Sequence, residues 1–158
     1  MARIMSIDYG DARVGIALTD PLQIIASGFK TIPNNIELYR EIYDIYVEKE
    51  VESIVIGVPY AERSEIGFAA KKVVNFTLNL FDFFKKNGID PIFFEMDERY
   101  STSSAQSSMK EIKVKNKRKK EIVDQIAAAN ILKDYLSQKK KYLIDIEKFR
   151  KINEERLK

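Results

Sequence analysis

Three short apolar runs precede the first helical stretch of this chain, and from there strand-like and helical segments alternate. Residues 3–9 (Arg-Ile-Met-Ser-Ile-Asp-Tyr) and 14–19 (Val-Gly-Ile-Ala-Leu-Thr) read as strands. Gly10-Asp11-Ala12-Arg13 between them is turn chemistry, so the pair forms a hairpin. Residues 22–32 supply a third strand and complete an antiparallel meander. Asn34, with Glu37 three residues on, has the pattern of an N-cap and its return partner. Leu38, Ile42, Ile45 and Tyr46 then fall at helical spacing, which predicts an amphipathic helix over 35–50.

Ser53-Ile-Val-Ile-Gly-Val58 is nearly all apolar and stops at Pro59, as suits a central strand covered on both faces. Helical period returns over 65–87 through Ala69, Val73, Phe76, Leu80 and Phe84, and closes at Asn87-Gly88. A further strand, Pro91 to Met96, ends at Asp97-Glu98-Arg99. A short helix is expected near Ser101 or Thr102, and a longer one over 121–137. The order β-β-β-α-β-α-β-α-α predicts an α/β fold of the RNase H-like kind, a mixed five-stranded sheet flanked by helices. Residues 1–137 form that domain. Residues 138–158 are an extension: Tyr142, Ile146, Phe149 and Ile152 have helical spacing, and the charge content also suits a frayed tail.

Composition narrows the chemistry before any motif does. The 158 residues include no histidine and no cysteine. That removes disulfides, thiolate metal sites, the Ser-His-Asp triad and the usual neutral-pH general base. Catalysis must then rest on carboxylates, lysines, hydroxyls or an added metal, and carboxylates prefer hard cations such as Mg2+ or Mn2+. No apolar run reaches the length of a membrane span, and the strand pattern starts at once, leaving no room for a signal peptide. A cytoplasmic location is the expectation, with monomer and homodimer both open. The net charge is only +3, but Lys110 to Lys120 holds seven basic residues against one acid, and Lys139-Lys140-Lys141 follows the next helix. By itself a run of this kind reads as a solvated loop.

Three acids lie where structural elements end or pack. Asp8 closes the first strand, Glu98 (beside Asp97) the last, and Asp124 stands near the start of the final core helix. The neighbours of Asp124 at i+4, i+7 and i+11 are Ala128, Ile131 and Tyr135, so it tops an apolar face where an unpaired charge is expensive. Each acid alone has an ordinary explanation: a turn for Asp8, a pairing with Arg99 or Arg13 for Glu98, the helix dipole for Asp124. Together they suggest a metal site, such as the two ions roughly 4 Å apart that cleave phosphodiesters. Lys117, Arg118, Lys119 and Lys120, just before Asp124, would then hold flanking phosphates, with Arg13 and Arg99 as further contacts.

Four blocks carry a family resemblance. Met5-Ser-Ile-Asp-Tyr-Gly-Asp-Ala-Arg-Val-Gly-Ile-Ala17, Ile56-Gly-Val-Pro59, Asp97-Glu-Arg-Tyr-Ser-Thr-Ser103 and Lys119-Lys-Glu-Ile-Val-Asp-Gln-Ile-Ala-Ala-Ala129 resemble, in order, the motifs of the YqgF/RuvX family, relatives of Holliday-junction resolvases. The resemblance covers 4–137. It implies an RNase H-like metal-dependent nuclease with a role at the 5′ end of precursor 16S rRNA. Its acids match Asp8, Glu98 and Asp124, and it leaves open whether Asp97 or Glu98 faces the metal. After Pro59 the family's Asn-Met-Asp-Gly loop is replaced by Ala61-Glu62-Arg63-Ser64, a departure in loop geometry.

Two rival functions follow from the same residues. Asp8-Tyr9-Gly10 followed by Gly15 resembles the phosphate loop of actin-like ATPases, but those need two lobes and far more chain. A non-catalytic nucleic-acid-binding module would keep the basic strip and have no use for three acids. Precursor rRNA and branched DNA remain equally suitable partners.

Overall fold

The structure is a computed structural model describing residues 2–61, 66–98 and 117–156. The helix expected near Ser101, Arg99 and most of the atypical loop after Pro59 lie outside the described residues, as does the side chain of Lys117.

The meander forms as the sequence predicts. Strand β1 (Arg3–Asp8) pairs antiparallel with β2 (Arg13–Thr19), and β2 with β3 (Ala26–Pro33). Helix α1 (Leu38–Glu48) leads to β4 (Val51–Val58), which lies parallel to β1. Helix α2 (Phe68–Lys86) leads to β5 (Phe93–Asp97), parallel to β4. Helix α3 (Lys117–Ser137), the two-residue β6 (Tyr142–Leu143) and α4 (Ile146–Arg156) complete the described chain. The sheet order is β3-β2-β1-β4-β5-β6. The five expected strands are present, and β6 adds a sixth at the β5 edge, antiparallel to it.

Alternation along the strands sorts residues onto two faces. Met5, Ile7, Val14, Ile16, Ile54, Ile56 and Phe93 pack with α1, α2 and Phe149 of α4 in the larger core. Ile4, Ala17, Val55 and Met96 point the other way, into a smaller core with Ala128, Ile131, Leu132 and Tyr135 of α3. Full burial of side chains such as Ile131 and Leu132 contributes about 1.5–3 kcal/mol each. Small residues let α3 come close. A Cβ at Gly28 of β3 would stand 2.8 Å from the Gln125 Cβ. Two strand hydroxyls tie the helix down: Ser6 Oγ donates to the Ala128 carbonyl and Thr31 Oγ1 to that of Glu121, both at 2.6 Å.

Four expectations change. Residues 22–25 form a turn rather than strand, because Asp20 Oδ1 accepts from the Ile24 and Ile25 amides at 2.8 and 2.7 Å. Asn34 does not cap α1: its Nδ2 donates to the Gly10 carbonyl at 2.8 Å, and the α1 N-cap position, Glu37, makes no side-chain cap bond. Ala70, not Ala69, continues the buried face of α2. Tyr142 is in β6, while Phe149 of α4 is buried and Arg150 pairs with Asp82 of α2 at 2.8 Å.

Glu95 of β5 shares the larger-core side and accepts from the Tyr60 hydroxyl at 2.9 Å. Desolvation by burial raises its pKa above the ordinary 4.5, against the lowering effect of that hydrogen bond and of Lys148. The folded state therefore holds the proton more tightly than the unfolded chain. Its carboxylate costs stability as pH rises from 4.5 through the raised native value. Glu95→Gln is expected to melt higher than the parent near pH 7, with the gap closing as pH falls below 4.5. A lower melting temperature near neutrality would mean that the Tyr60 bond to the charged form outweighs desolvation.

Candidate active site

The turn after β1 is pinned from three directions. Asn34 holds Gly10 by its side chain and the Ala12 carbonyl by its amide at 3.0 Å, and Lys72 of α2 pairs with Asp11 at 3.0 Å. A Cβ at Gly10 would collide with the Arg13 carbonyl, so the tight turn requires glycine there. This places Arg13 at the start of β2, opposite Pro33 of β3.

Asp8 follows Ile4 and Ser6 on the α3 side of β1. Its partner in β2 is Gly15, and the parallel register Ile7↔Ile56 sets Gly57 beside it in β4. Gly15, Asp8 and Gly57 thus form a row across three strands, in steps of about 4.8 Å. Both glycines lack the side chain that would occupy the space above them, and an acid fills each place. A Cβ at Gly15 would meet the Asp124 carbonyl oxygen and stand 3.3 Å from the Asp124 Cβ. A Cβ at Gly57 would meet the Glu98 carboxylate and stand 2.7 Å from Ile131 Cδ1. The three acids therefore come from three elements to one face of the sheet, with Asp8 between the other two.

The same alternation separates Asp97 from Glu98. Asp97 pairs with Val58, whose side chain is in the larger core, and its charge acts on Glu95 of that side. Glu98, one residue on, lies over Gly57 on the α3 side.

Asp124 has its expected setting: Ala128, Ile131 and Tyr135 on its face are all buried. Its charge is met by Arg13, whose Nε donates to Oδ2 at 2.7 Å; the two side chains are 32% and 19% exposed. Among the described residues no three acidic side chains are gathered, as placed, into a group that could hold a metal ion. Helix α3 begins by Lys117, ahead of the expected 121, so the basic residues before Asp124 belong to its first described turns. Arg118, Lys119 and Lys120 are exposed there. In the second basic cluster, Lys141 closes the end of α3. Its Nζ donates to the Tyr135 and Gln138 carbonyls and lies 4.6 Å over the Tyr135 ring.

Sequence reasoning did not single out Gly57, Ser6 or Thr31. Ser6, a polar residue inside an apolar run, and Gly57, inside the Ile56-Gly-Val-Pro59 block, were the visible signals. Their roles emerge only when α3 is laid on the sheet.

A profile of the RuvX family, described as Holliday junction resolvase, matches residues 2–138. The chain belongs to the RuvX family. A relative from Phocaeicola vulgatus is 40% identical over 143 residues, covering 89% of this chain and 99% of its own. One from Amoebophilus asiaticus is 38% identical over 147 residues, covering 91% and 100%. Each is named "Putative pre-16S rRNA nuclease". Among solved structures, "T. thermophilus RuvC in complex with Holliday junction substrate" matches with a TM-score of 0.55 at 10% identity, over 91% of this chain and 100% of that one. At that identity the likeness speaks for the RNase H-like fold. No helix among the described residues of this RuvX chain is long and apolar enough to cross a membrane.

The glycine row also yields a prediction. In Gly57→Ala the new methyl meets two side-chain ends, the Glu98 carboxylate and the buried Ile131 Cδ1, and no backbone, so the fold should lose about 1–2 kcal/mol. Glu98 must leave its place, and a dependent activity should fall by at least about ten-fold. Paired thermal melts and activity assays check this, and full activity in Gly57→Ala would separate Glu98 from the reaction.

Proposed function

We propose that this chain is a nuclease that hydrolyses phosphodiester bonds in structured nucleic acid, with the 5′ end of precursor 16S rRNA as its substrate and Mg2+ or Mn2+ as its cofactor. The observation that carries the reading is the placement of Asp8, Glu98 and Asp124 on one face around the Gly15–Asp8–Gly57 row. The substrate rests on the names of relatives matched over nearly their whole length.

In donor chemistry the three acids suit a hard divalent cation, and holding one requires their carboxylates to draw together and Asp124 to turn from Arg13. Each acid offers oxygen, and the chain has no histidine or cysteine to favour a softer metal. Asp8, Glu98 and Asp124 would hold the ion, and until then Arg13 supplies the counter-charge to Asp124. Bound there, the ion would supply Lewis-acid polarisation of the phosphoryl oxygen and an acidified water. The chain's own part is orientation and charge. Backbone packing at Gly15 fixes where Asp124 starts, and Ile131 gives Glu98 an apolar neighbour. Arg118, Lys119 and Lys120 face solvent ahead of Asp124 and would neutralise flanking phosphates.

The family description supports branched DNA as a second substrate. The test incubates the protein with precursor 16S rRNA and, separately, a four-way DNA junction, each with Mg2+, Mn2+ or EDTA. Cleavage of the rRNA, dependent on the divalent ion, is the expected result. Cleavage of the junction alone would move the substrate to DNA, and no cleavage of either would overturn the enzymatic reading in favour of a binding module.

A further inference from the structure

Beside Asp124, on the side away from Asp8, lies a groove of about 360 Å3 lined by Ala12, Arg13, Thr31, Pro33, Lys120 and Glu121. Its walls come from the β1–β2 turn, the end of β3 and α3. The Thr31 bond to the Glu121 carbonyl fixes the distance between β3 and the helix. The Asn34 amide on the Ala12 carbonyl fixes the turn against β3. The groove is thus built by hydrogen bonds between separate elements. Arg13 is common to both places: it pairs with Asp124 and lines the groove. Lys120 stands one turn before Asp124, about 6 Å along the helix axis, the reach of one nucleotide along a strand.

The lining divides by chemistry. Of the lining residues, Arg13 and Lys120 are cationic, Ala12 and Pro33 are apolar, and Glu121 carries a carboxylate able to accept a hydrogen bond. Two cations suit a phosphate. A carboxylate beside them does not, and would weaken a site made for phosphate alone. It does suit a group that donates a hydrogen bond next to a phosphate, which in nucleic acid is the ribose 2′-hydroxyl. We propose that the groove is a ribonucleotide subsite next to the cleaved bond, in which Arg13 and Lys120 take the phosphate, Ala12 and Pro33 support the sugar, and Glu121 accepts from the 2′-hydroxyl. The subsite rests on the nuclease reading for its position along the strand. It goes further in giving this chain a means of distinguishing RNA from DNA.

The test measures binding of a short fluorescein-labelled single-stranded RNA and the DNA of the same sequence, by anisotropy in EDTA, across a salt series. The parent is expected to prefer RNA by roughly ten-fold, the worth of one hydrogen bond to a charged group. Glu121→Ala should abolish that preference by losing RNA affinity while keeping or improving DNA affinity. Glu121→Gln, which keeps an acceptor oxygen, should retain part of it. Lys120→Ala should weaken both probes equally and lower the salt slope by about one, and Lys86→Ala, an exposed lysine at the far end of α2, should do neither. Matching melts show that each variant is folded. Equal binding of RNA and DNA by the parent, or an RNA preference untouched in Glu121→Ala, overturns the subsite. Since binding is read without metal and cleavage with it, a protein that prefers RNA through Glu121 but never cuts supports the groove and fells the nuclease reading. One that cuts while Glu121→Ala changes nothing does the reverse.

Discussion

Asp8→Asn is expected to lower metal-dependent cleavage by about a thousand-fold or more while leaving the fold intact. Asparagine keeps the size of the side chain and its capacity to accept a hydrogen bond, so the hairpin and the Gly15 register have no reason to change. What disappears is the charge at the middle of the row. A metal-ligating carboxylate supports several kcal/mol of transition-state stabilisation, and about 4 kcal/mol corresponds to a thousand-fold in rate. Asp8→Asn should melt within a few degrees of the parent and still bind nucleic acid in EDTA. Heats of Mn2+ binding, expected with the parent, should be lost. Undiminished cleavage in this variant would remove Asp8 from the chemistry and leave the convergence of acids as a packing arrangement.

The largest effect on stability is expected at Gly15. Alanine in a strand is ordinarily better than glycine by up to about 1 kcal/mol. Here its Cβ would overlap the Asp124 carbonyl oxygen and lie 2.7 Å from the carbonyl carbon. Neither atom belongs to a flexible side chain, so relief requires α3 to lift from the sheet. That strains the bonds from Ser6 to Ala128 and from Thr31 to Glu121. Overpacking of this kind costs about 3 kcal/mol, or roughly 10 °C in melting temperature for a chain of this size. The contrast with Gly57 is diagnostic: one glycine makes room for a helix backbone, the other for the side-chain ends of Glu98 and Ile131. A Gly15→Ala protein as stable as the parent would mean that α3 sits less closely on β2 than these contacts require.

The strands and helices of the packed layers were legible because burial on one face or two imposes a period on the sequence. Where burial fails, so does the period. Tyr142 and Leu143 are exposed, and nothing in their pattern announces β6; its place follows from the Ile144 amide on the Phe93 carbonyl and from buried Phe149 beyond. Leu22, Ile24 and Ile25 mislead in the opposite sense, since three apolar residues are exposed on a turn that Asp20 organises. The start of α3 was placed late because its first described turn has charged side chains of good helix propensity and no apolar stripe. Asp8, Glu98 and Asp124 could be picked out as acids in unusual positions. Which of Asp97 and Glu98 lies on the α3 side required the sheet, because it depends on which face the residue after β5 meets. The Arg13–Asp124 pair was beyond reach for another reason: no local pattern connects residues 111 apart in sequence.

The same separation bears on when the site can come into being. The meander and its Asp8 are complete within the first few dozen residues, yet Ser6 waits for a carbonyl 122 positions later. Contacts of such long range form slowly, because closing the intervening chain must precede any gain from them. During synthesis the sheet can begin to assemble from the N-terminus, but Asp124 reaches Gly15 only after α3 has left the ribosome. A chain whose proposed substrate is ribosomal RNA would therefore stay unarmed while everything before α3 is still being made.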